Sequence, residues 1–303
     1  MVRRPRMCAS ACPPLGTVRP NRLSTVPAAV APPGIHLTHH AARGILPGGV
    51  TRVVLVHGAM DRGRSFSRMV RVLADAGFDC VTYDRRGYES SHLSDPFSKK
   101  RPPSITDHAE DLAQVIGDQP SIVFGHSLGG TIALLTSAAG SCAGLSALVT
   151  FESPLPWMDF WSRSGAYAMR PGEISEAAAE DFAQTFMERM IGEHRWARLP
   201  SRTREQRRAE GPVLAAEMAS ASHLDPPPDL GAIKVPLFAS RGDRAPSRHL
   251  MAVEKLATSV PGCEVVIVPE TDHSIHLTNP SAAAGLVQLA WQRLKGSELG
   301  ATG

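Results

Sequence analysis

The chain has 303 residues, 43% of them hydrophobic and 20% charged, which is the profile of a globular protein able to bury a sizeable core. No apolar run approaches the roughly 18 residues of a membrane helix, so no membrane span is expected. The formal charge of +3 is unevenly spread: the first 60 residues hold seven arginines and no acid, leaving 25 basic against 29 acidic residues beyond them.

Residues 1–33 are rich in Arg, Pro, Ala and Ser without hydrophobic periodicity and read as a disordered basic tail. The tail lacks interleaved aromatics and the remainder is acidic, so a nucleic-acid partner is not expected. A targeting peptide is the competing reading of the tail, but prolines interrupt every candidate apolar segment. From residue 50 short apolar strands alternate with amphipathic stretches. Val53–Val56 reads as a buried strand and 65–76 as a helix with Phe66, Met69, Val70 and Leu73 on one face. Strand 80–83, helix 105–116 behind a Ser104 cap, strand 121–124, helix 128–139 and strand 147–151 follow. Residues 154–231 break the alternation and lean to helix, with Ile174, Ala178, Phe182, Phe186 and Met190 expected on one apolar face. That stretch reads as a helical lid inserted between two strands. The alternation resumes with strand 235–239, helix 247–258, strand 265–268 and helix 281–294, ahead of a flexible C-terminus at 297–303. Strands alternating with helices predict an α/β fold: a mostly parallel central sheet with helices on both faces, its core at 34–153 and 232–296.

Five cysteines (Cys8, Cys12, Cys80, Cys142, Cys263) are odd in number and scattered. No pair has metal-ligand spacing, so they read as reduced thiols in a cytoplasmic setting, and no metal is expected.

The strongest chemical signal is Gly125-His126-Ser127-Leu128-Gly129-Gly130, which follows an apolar strand and precedes a helix-compatible run. A serine on so tight a turn needs small neighbours, and it gains an exposed hydroxyl beside helix N–H groups that favour developing negative charge. An ordinary glycine turn is the alternative reading. Serine is a weak nucleophile until a base takes its proton. His273, between the last strand and the last helix, is the expected base, with His276 the rival. The base needs a carboxylate to orient it. Asp243, just past strand 235–239, is the first choice, and Glu152, just past strand 147–151, is the alternative. Asp272 adjoins His273 too closely in sequence to reach the far ring nitrogen. The oxyanion donors expected are the backbone N–H groups of Leu128 and Ala59, with Met60 next in line. His57 is expected to bond its own loop and His126 to pack. Met60, Trp157 and Trp161 are candidate substrate-binding residues, although aromatics at a hinge also serve as plain packing. The basic stretch Arg202, Arg204, Arg207 and Arg208 reads as a solvated helix face.

The chain resembles the α/β-hydrolase fold family in its His57-Gly58, Tyr83-Asp84-Arg85-Arg86-Gly87, Gly125-His126-Ser127-Leu128-Gly129, Gly242-Asp243 and His273 pieces, in that order along about 35–295. The resemblance implies a Ser127-Asp243-His273 triad, an oxyanion hole from Ala59 and Leu128, no cofactor, and a lid over an acyl pocket. The chain departs from the family at Tyr88-Glu89-Ser90 and Thr271-Asp272, where glycines are more usual. A serine rather than an aspartate nucleophile argues against ester formation through a carboxylate. The leading expectation is a serine hydrolase acting on an ester or related acyl bond, of carboxylesterase type. The alternatives are a C–C hydrolase or cofactor-free perhydrolase with the same residues, or a ligand-binding or signalling protein with little turnover. The partners expected are a small acyl substrate and water, with a homodimer as the one assembly left open.

Overall fold

The computed structural model describes residues 31–47, 51–94, 101–140, 142–161, 165–168, 170 and 172–300. The expected tail at 1–33 falls almost wholly outside the described residues. Among the described residues seven strands form one sheet: β1 (His36–His40), β2 (Thr51–Val56), β3 (Phe78–Asp84), β4 (Ser121–His126), β5 (Leu145–Phe151), β6 (Leu237–Gly242) and β7 (Glu264–Val268). Their order is β1-β3-β2-β4-β5-β6-β7, all parallel except β1, which runs antiparallel to β3. The central strands are buried on both faces, which is why Val53, Val54, Leu55 and Val56 form an unbroken apolar run rather than an alternating one. β1 is absent from the sequence expectation. As an edge strand of sequence HLTHH with His36, Thr38 and His39 exposed, it carries no apolar signature. β6 begins two residues later than predicted, because Pro236 has no N–H for the ladder and offers only its carbonyl, to Leu148 N at 2.9 Å.

Helices α1 (Ser67–Asp75), α2 (Glu89–Ser94), α3 (Ile105–Ile116) and α4 (Leu128–Ala138) link the first five strands. Ser104 caps α3 as expected, its Oγ accepting the Asp107 N–H while Asp107 accepts the Ser104 N–H at 2.7 Å. Helices α5 (Glu176–Ile191), α6 (Glu193–Ala197), α7 (Ser201–Ala209) and α8 (Gly211–Ser222) lie between β5 and β6. The chain closes with α9 (Ser247–Ser259), α10 (Ile275–Thr278) and α11 (Pro280–Gly300), the last running past the predicted end at residue 294. Among the described residues no helix is long and apolar enough to cross a membrane.

Two apolar layers sandwich the sheet. Leu112, Ile132, Leu135 and Leu256 pack on one face, and Phe66, Leu73, Leu286 and Val287 on the other. A third cluster joins Met60 and Tyr88 of the sheet edge to Ala183, Met187, Trp196, Val213 and Leu214 of the inserted helices. The buried stripe of α5 is Ala179, Ala183 and Met187, spaced by four. This corrects the expected face: Ala178 and Met190 are exposed, while Phe182 and Phe186 only flank the stripe.

Two buried ion pairs fasten the insertion to the sheet. Arg85, after β3, donates to Glu217 of α8 at 2.5 Å, and the Tyr88 hydroxyl donates to the same carboxylate at 2.6 Å. Arg62, after β2, bonds Glu210 at the head of α8 and Glu89 at 2.8 Å. Removing either partner of such a pair would strand a buried charge.

Candidate active site

The parallel strands deliver their C-terminal ends to one edge of the sheet. There β4 runs into Ser127 and α4 begins one residue later. Ser127 has φ 52° and ψ −127°, a conformation that costs a non-glycine residue about 1–3 kcal/mol. Its N–H donates to the Phe151 carbonyl at 2.8 Å, which ties the turn to the neighbouring strand. The turn closes only because Gly125 lacks a side chain: a Cβ there would lie 2.4 Å from the Gly130 Cα. The Ser127 hydroxyl has no hydrogen-bond partner among the described residues, and the residue is partly open to solvent.

His273, in the loop between β7 and α10, is held at two points. Its backbone carbonyl accepts from His126 Nε2 at 2.6 Å, and its Nδ1 lies 2.7 Å from Glu152 Oε2. Glu152 stands directly after β5, has φ 47°, and is 1% exposed. Its second oxygen accepts the Gly242 N–H at 3.0 Å, and its own N–H donates to Ser240 O at 2.9 Å. Burial pushes the Glu152 carboxyl upward, but His273 and the Gly242 N–H outweigh it, so the carboxyl sits below its ordinary range. A carboxylate at Nδ1 fixes the tautomer that leaves Nε2 as the basic nitrogen.

Asp243, the first choice for this position, is not there. It lies one strand further out, is exposed, and accepts the Thr271 N–H at 3.2 Å with one carboxylate oxygen. Hydrogen bonds from the Glu270 and Thr271 backbone hold its carboxyl below the usual range. Strand order is the physical cause: β5 lies between β4 and β6, so its end sits between Ser127 and the His273 loop. The β6 end instead braces the chain leaving β7. Asp272 turns to the Ser274 N–H at 2.9 Å.

The loop after β2 supplies the other wall. A Cβ on Gly58 would lie 3.0 Å from the Ser127 Cβ, so the backbone passes directly against the serine. The Gly58 carbonyl lies 2.8 Å from His57 Nδ1 and 3.1 Å from Arg85 Nη2. His57 Nε2 accepts the Arg85 backbone N–H at 2.9 Å, so Nδ1 carries the proton and donates to Gly58. Burial and the Arg85 charge hold His57 well below its ordinary range, hence neutral. In a trans peptide the N–H points opposite the carbonyl, so anchoring Gly58 O aims the Ala59 N–H away from Arg85. That N–H has no hydrogen-bond partner among the described residues. The Leu128 N–H, first in α4, belongs to the helix donors that lack an intrahelical acceptor.

Arg207 departs from the expected solvated face. It is largely buried and donates to the Met60 carbonyl at 2.8 Å. Arg204 caps the Ala197 carbonyl at 2.6 Å, and Arg208 pairs with Asp181 at 2.9 Å. Trp157 and Trp161 are buried in the same apolar cluster as Leu128 and Leu155, whereas Met60 belongs to the cluster shared with the inserted helices.

Two site neighbours, His249 and Asp61, carried no signal in the sequence, and a third, His126, was expected only to pack. His249 of α9 is buried, with its ring 5.4 Å from that of His273, and burial followed by the His273 charge lowers it to about 3. Asp61, after Met60, receives His276 Nε2 at 3.1 Å, which removes His276 from contention as the partner of Glu152. His126 stacks on Phe151 at 6.3 Å as well as holding the His273 backbone. His126 and His249 sit beside His273, and Asp61 beside His276, only because separate elements end at the same edge.

A family model described as the alpha/beta hydrolase family matches residues 53–286. An uncharacterized hydrolase of Bacillus subtilis (strain 168), YraK, is 34% identical over 102 residues, 34% of this chain and 35% of its own length. The AB hydrolase superfamily protein YfhM of the same organism is 30% identical over 95 residues, 31% and 32% of the two chains. The matched stretches thus span about a third of the length of these curated relatives. Among solved structures, MenH from S. aureus has a TM-score of 0.65 at 17% identity, with 86% of this chain and 99% of that one covered. The enol-lactonase from Burkholderia xenovorans LB400 has a TM-score of 0.58 at 18% identity, with 85% and 96% covered. At such identities the likeness is one of fold.

Proposed function

The chain belongs to the alpha/beta hydrolase family; on that premise we propose that it is a hydrolase that cleaves an ester or related acyl bond through an acyl-enzyme on Ser127. The observation that carries this reading is the 2.7 Å contact between Glu152 and His273 Nδ1, at the sheet edge where Ser127 stands strained and partly exposed. In the proposed reaction Ser127 Oγ attacks the carbonyl carbon while His273 Nε2 takes the hydroxyl proton. Glu152 holds the imidazolium through Nδ1. The Ala59 and Leu128 N–H groups receive the oxyanion. Collapse of the tetrahedral intermediate expels the alcohol, which takes the proton from His273. Water then enters, gives its proton to His273, and its oxygen displaces Ser127 from the acyl group, with the proton returned to Ser127.

In this reading an apolar acyl group packs toward the cluster that contains Leu128, Leu155, Trp157 and Trp161. The inserted helices act in this reading as a lid, tied to the oxyanion loop through Arg207 and Met60. A fluorophosphonate probe tests the proposal. Labelling of the native chain that disappears in Ser127→Ala supports it, and absence of labelling in folded native protein overturns it. A panel of esters, thioesters, lactones and amides of graded acyl length then identifies the bond class.

A further inference from the structure

Beside the proposed acyl-transfer residues lies a second group of donors that the reaction does not use. Asp61 comes from the loop after β2, His126 from the end of β4 and His276 from α10. One donor atom from each lies within 4.8 Å of the others. We propose that Asp61, His126 and His276 form a binding site for a divalent transition-metal ion, with Zn²⁺ as the reference ion.

His126 carries the argument furthest. Its Nε2 lies 2.6 Å from the His273 carbonyl, and a carbonyl can only accept, so Nε2 bears the proton. Nδ1 is then a bare lone pair, buried and without a hydrogen-bond partner. A ring N–H spent on a backbone carbonyl with the opposite nitrogen free is the arrangement that outer-shell contacts impose on metal-bound histidines. His276 Nε2 lies 3.1 Å from Asp61 Oδ2, and an ion held between these two atoms shifts the ring proton to Nδ1, which is buried without a partner. The other Asp61 oxygen accepts the Ser65 hydroxyl at 2.6 Å, which fixes the carboxylate. Bond lengths of about 2.0–2.1 Å in a tetrahedral site put ligand atoms about 3.3 Å apart. The Asp61–His276 edge already matches that spacing, and the edges to His126, within 4.8 Å, close toward about 3.3 Å on binding.

Two imidazoles and one carboxylate select zinc, cobalt or nickel over the oxygen-seeking calcium and magnesium. His126 and His276 are 5% and 2% exposed, whereas the Asp61 side chain is 26% exposed and marks the way in. The neighbouring set of Glu152, His249 and His273 has similar spacing, but it holds the base and carboxylate of the proposed reaction. An ion on Asp61, His126 and His276 joins the oxyanion loop, the serine turn and the His273 segment, so binding should stabilise the fold by mass action.

The test uses the full chain, stripped with EDTA, dialysed and titrated with ZnCl₂ by calorimetry, with metal counted by mass spectrometry. One equivalent of Zn²⁺ is expected in the native chain and in His249→Gln, together with a higher melting temperature. Binding at least tenfold weaker is expected in Asp61→Asn and His276→Gln. Absence of binding, undiminished affinity in Asp61→Asn, or loss confined to His249→Gln overturns the proposal. Should a variant fail to fold by circular dichroism, anomalous diffraction from native crystals soaked in Zn²⁺ decides. A peak bonded to the three donors supports the site, and a peak elsewhere or none overturns it.

Discussion

Glu152 and His273 meet at 2.7 Å although 121 residues separate them, and the contact joins the end of β5 to the loop beyond β7. Glu152 is buried and its second oxygen is already held by the Gly242 N–H, so the carboxylate has one free direction, toward Nδ1. Asp243 spends a carboxylate oxygen on the Thr271 backbone. The two acids therefore have different consequences when neutralised. Glu152→Gln should lower kcat by about 10²–10⁴-fold, because an amide facing Nδ1 favours the wrong tautomer. Asp243→Asn should keep activity within about fivefold of native. Steady-state kinetics on an activated ester check both, and the reverse ranking would return the role to Asp243.

Gly58 carries the second consequence. Its carbonyl accepts from His57 and Arg85, and this fixes the Ala59 N–H by peptide geometry. Arg85→Lys cannot keep both carbonyl contacts and the Glu217 pair, since a single ammonium replaces a planar fork. The expected result is a fall in kcat of about tenfold or more with KM little changed, as for a weakened oxyanion donor. Affinity for a trifluoromethyl ketone analogue should fall in parallel; a rise in KM alone would contradict this positioning role.

Gly58→Ala should act through space rather than charge. Its Cβ would stand 3.0 Å from the Ser127 Cβ and 3.3 Å from His126 Nδ1, tighter than ordinary contacts. A stability loss of about 1–3 kcal/mol is expected from the crowding, with a larger proportional loss of fluorophosphonate labelling rate. Denaturant melts and labelling time courses measured on the same preparation separate the two effects.

Glu217 sets an acid limit on the fold. Burial alone would raise its carboxyl, but Arg85 and His108 overcome this and lower it from its ordinary 4.5 to about 2. A carboxyl depressed in the folded state stabilises above its unfolded value, and that contribution is lost as pH falls toward the folded value. Native stability should therefore decline as pH drops from about 4.5 toward about 2. Glu217→Gln should flatten part of that slope and cost about 3–5 kcal/mol at neutral pH, because Arg85 is left buried without its partner. Urea titrations at a series of pH values give both quantities; an unchanged slope would show that the pair is not what titrates.

Much of this molecule is written locally. The serine turn, its flanking strand and helix, and the alternation of apolar runs with amphipathic stretches depend on residues within about a dozen positions of one another, so the α/β fold and the placement of Ser127 and His273 at one edge were readable from the chain. The edge strand His36–His40 was not, because a strand with one partner needs no apolar signature. Nor was the choice of carboxylate. Glu152 and Asp243 both follow a strand, and only lateral strand order brings Glu152 to the imidazole while Asp243 braces the next turn. The gathering of His126 and His249 around His273, and of Asp61 with His276, has the same origin. Sequence periodicity reports which face of an element is buried, whereas which loop ends become neighbours is decided by packing across the whole sheet.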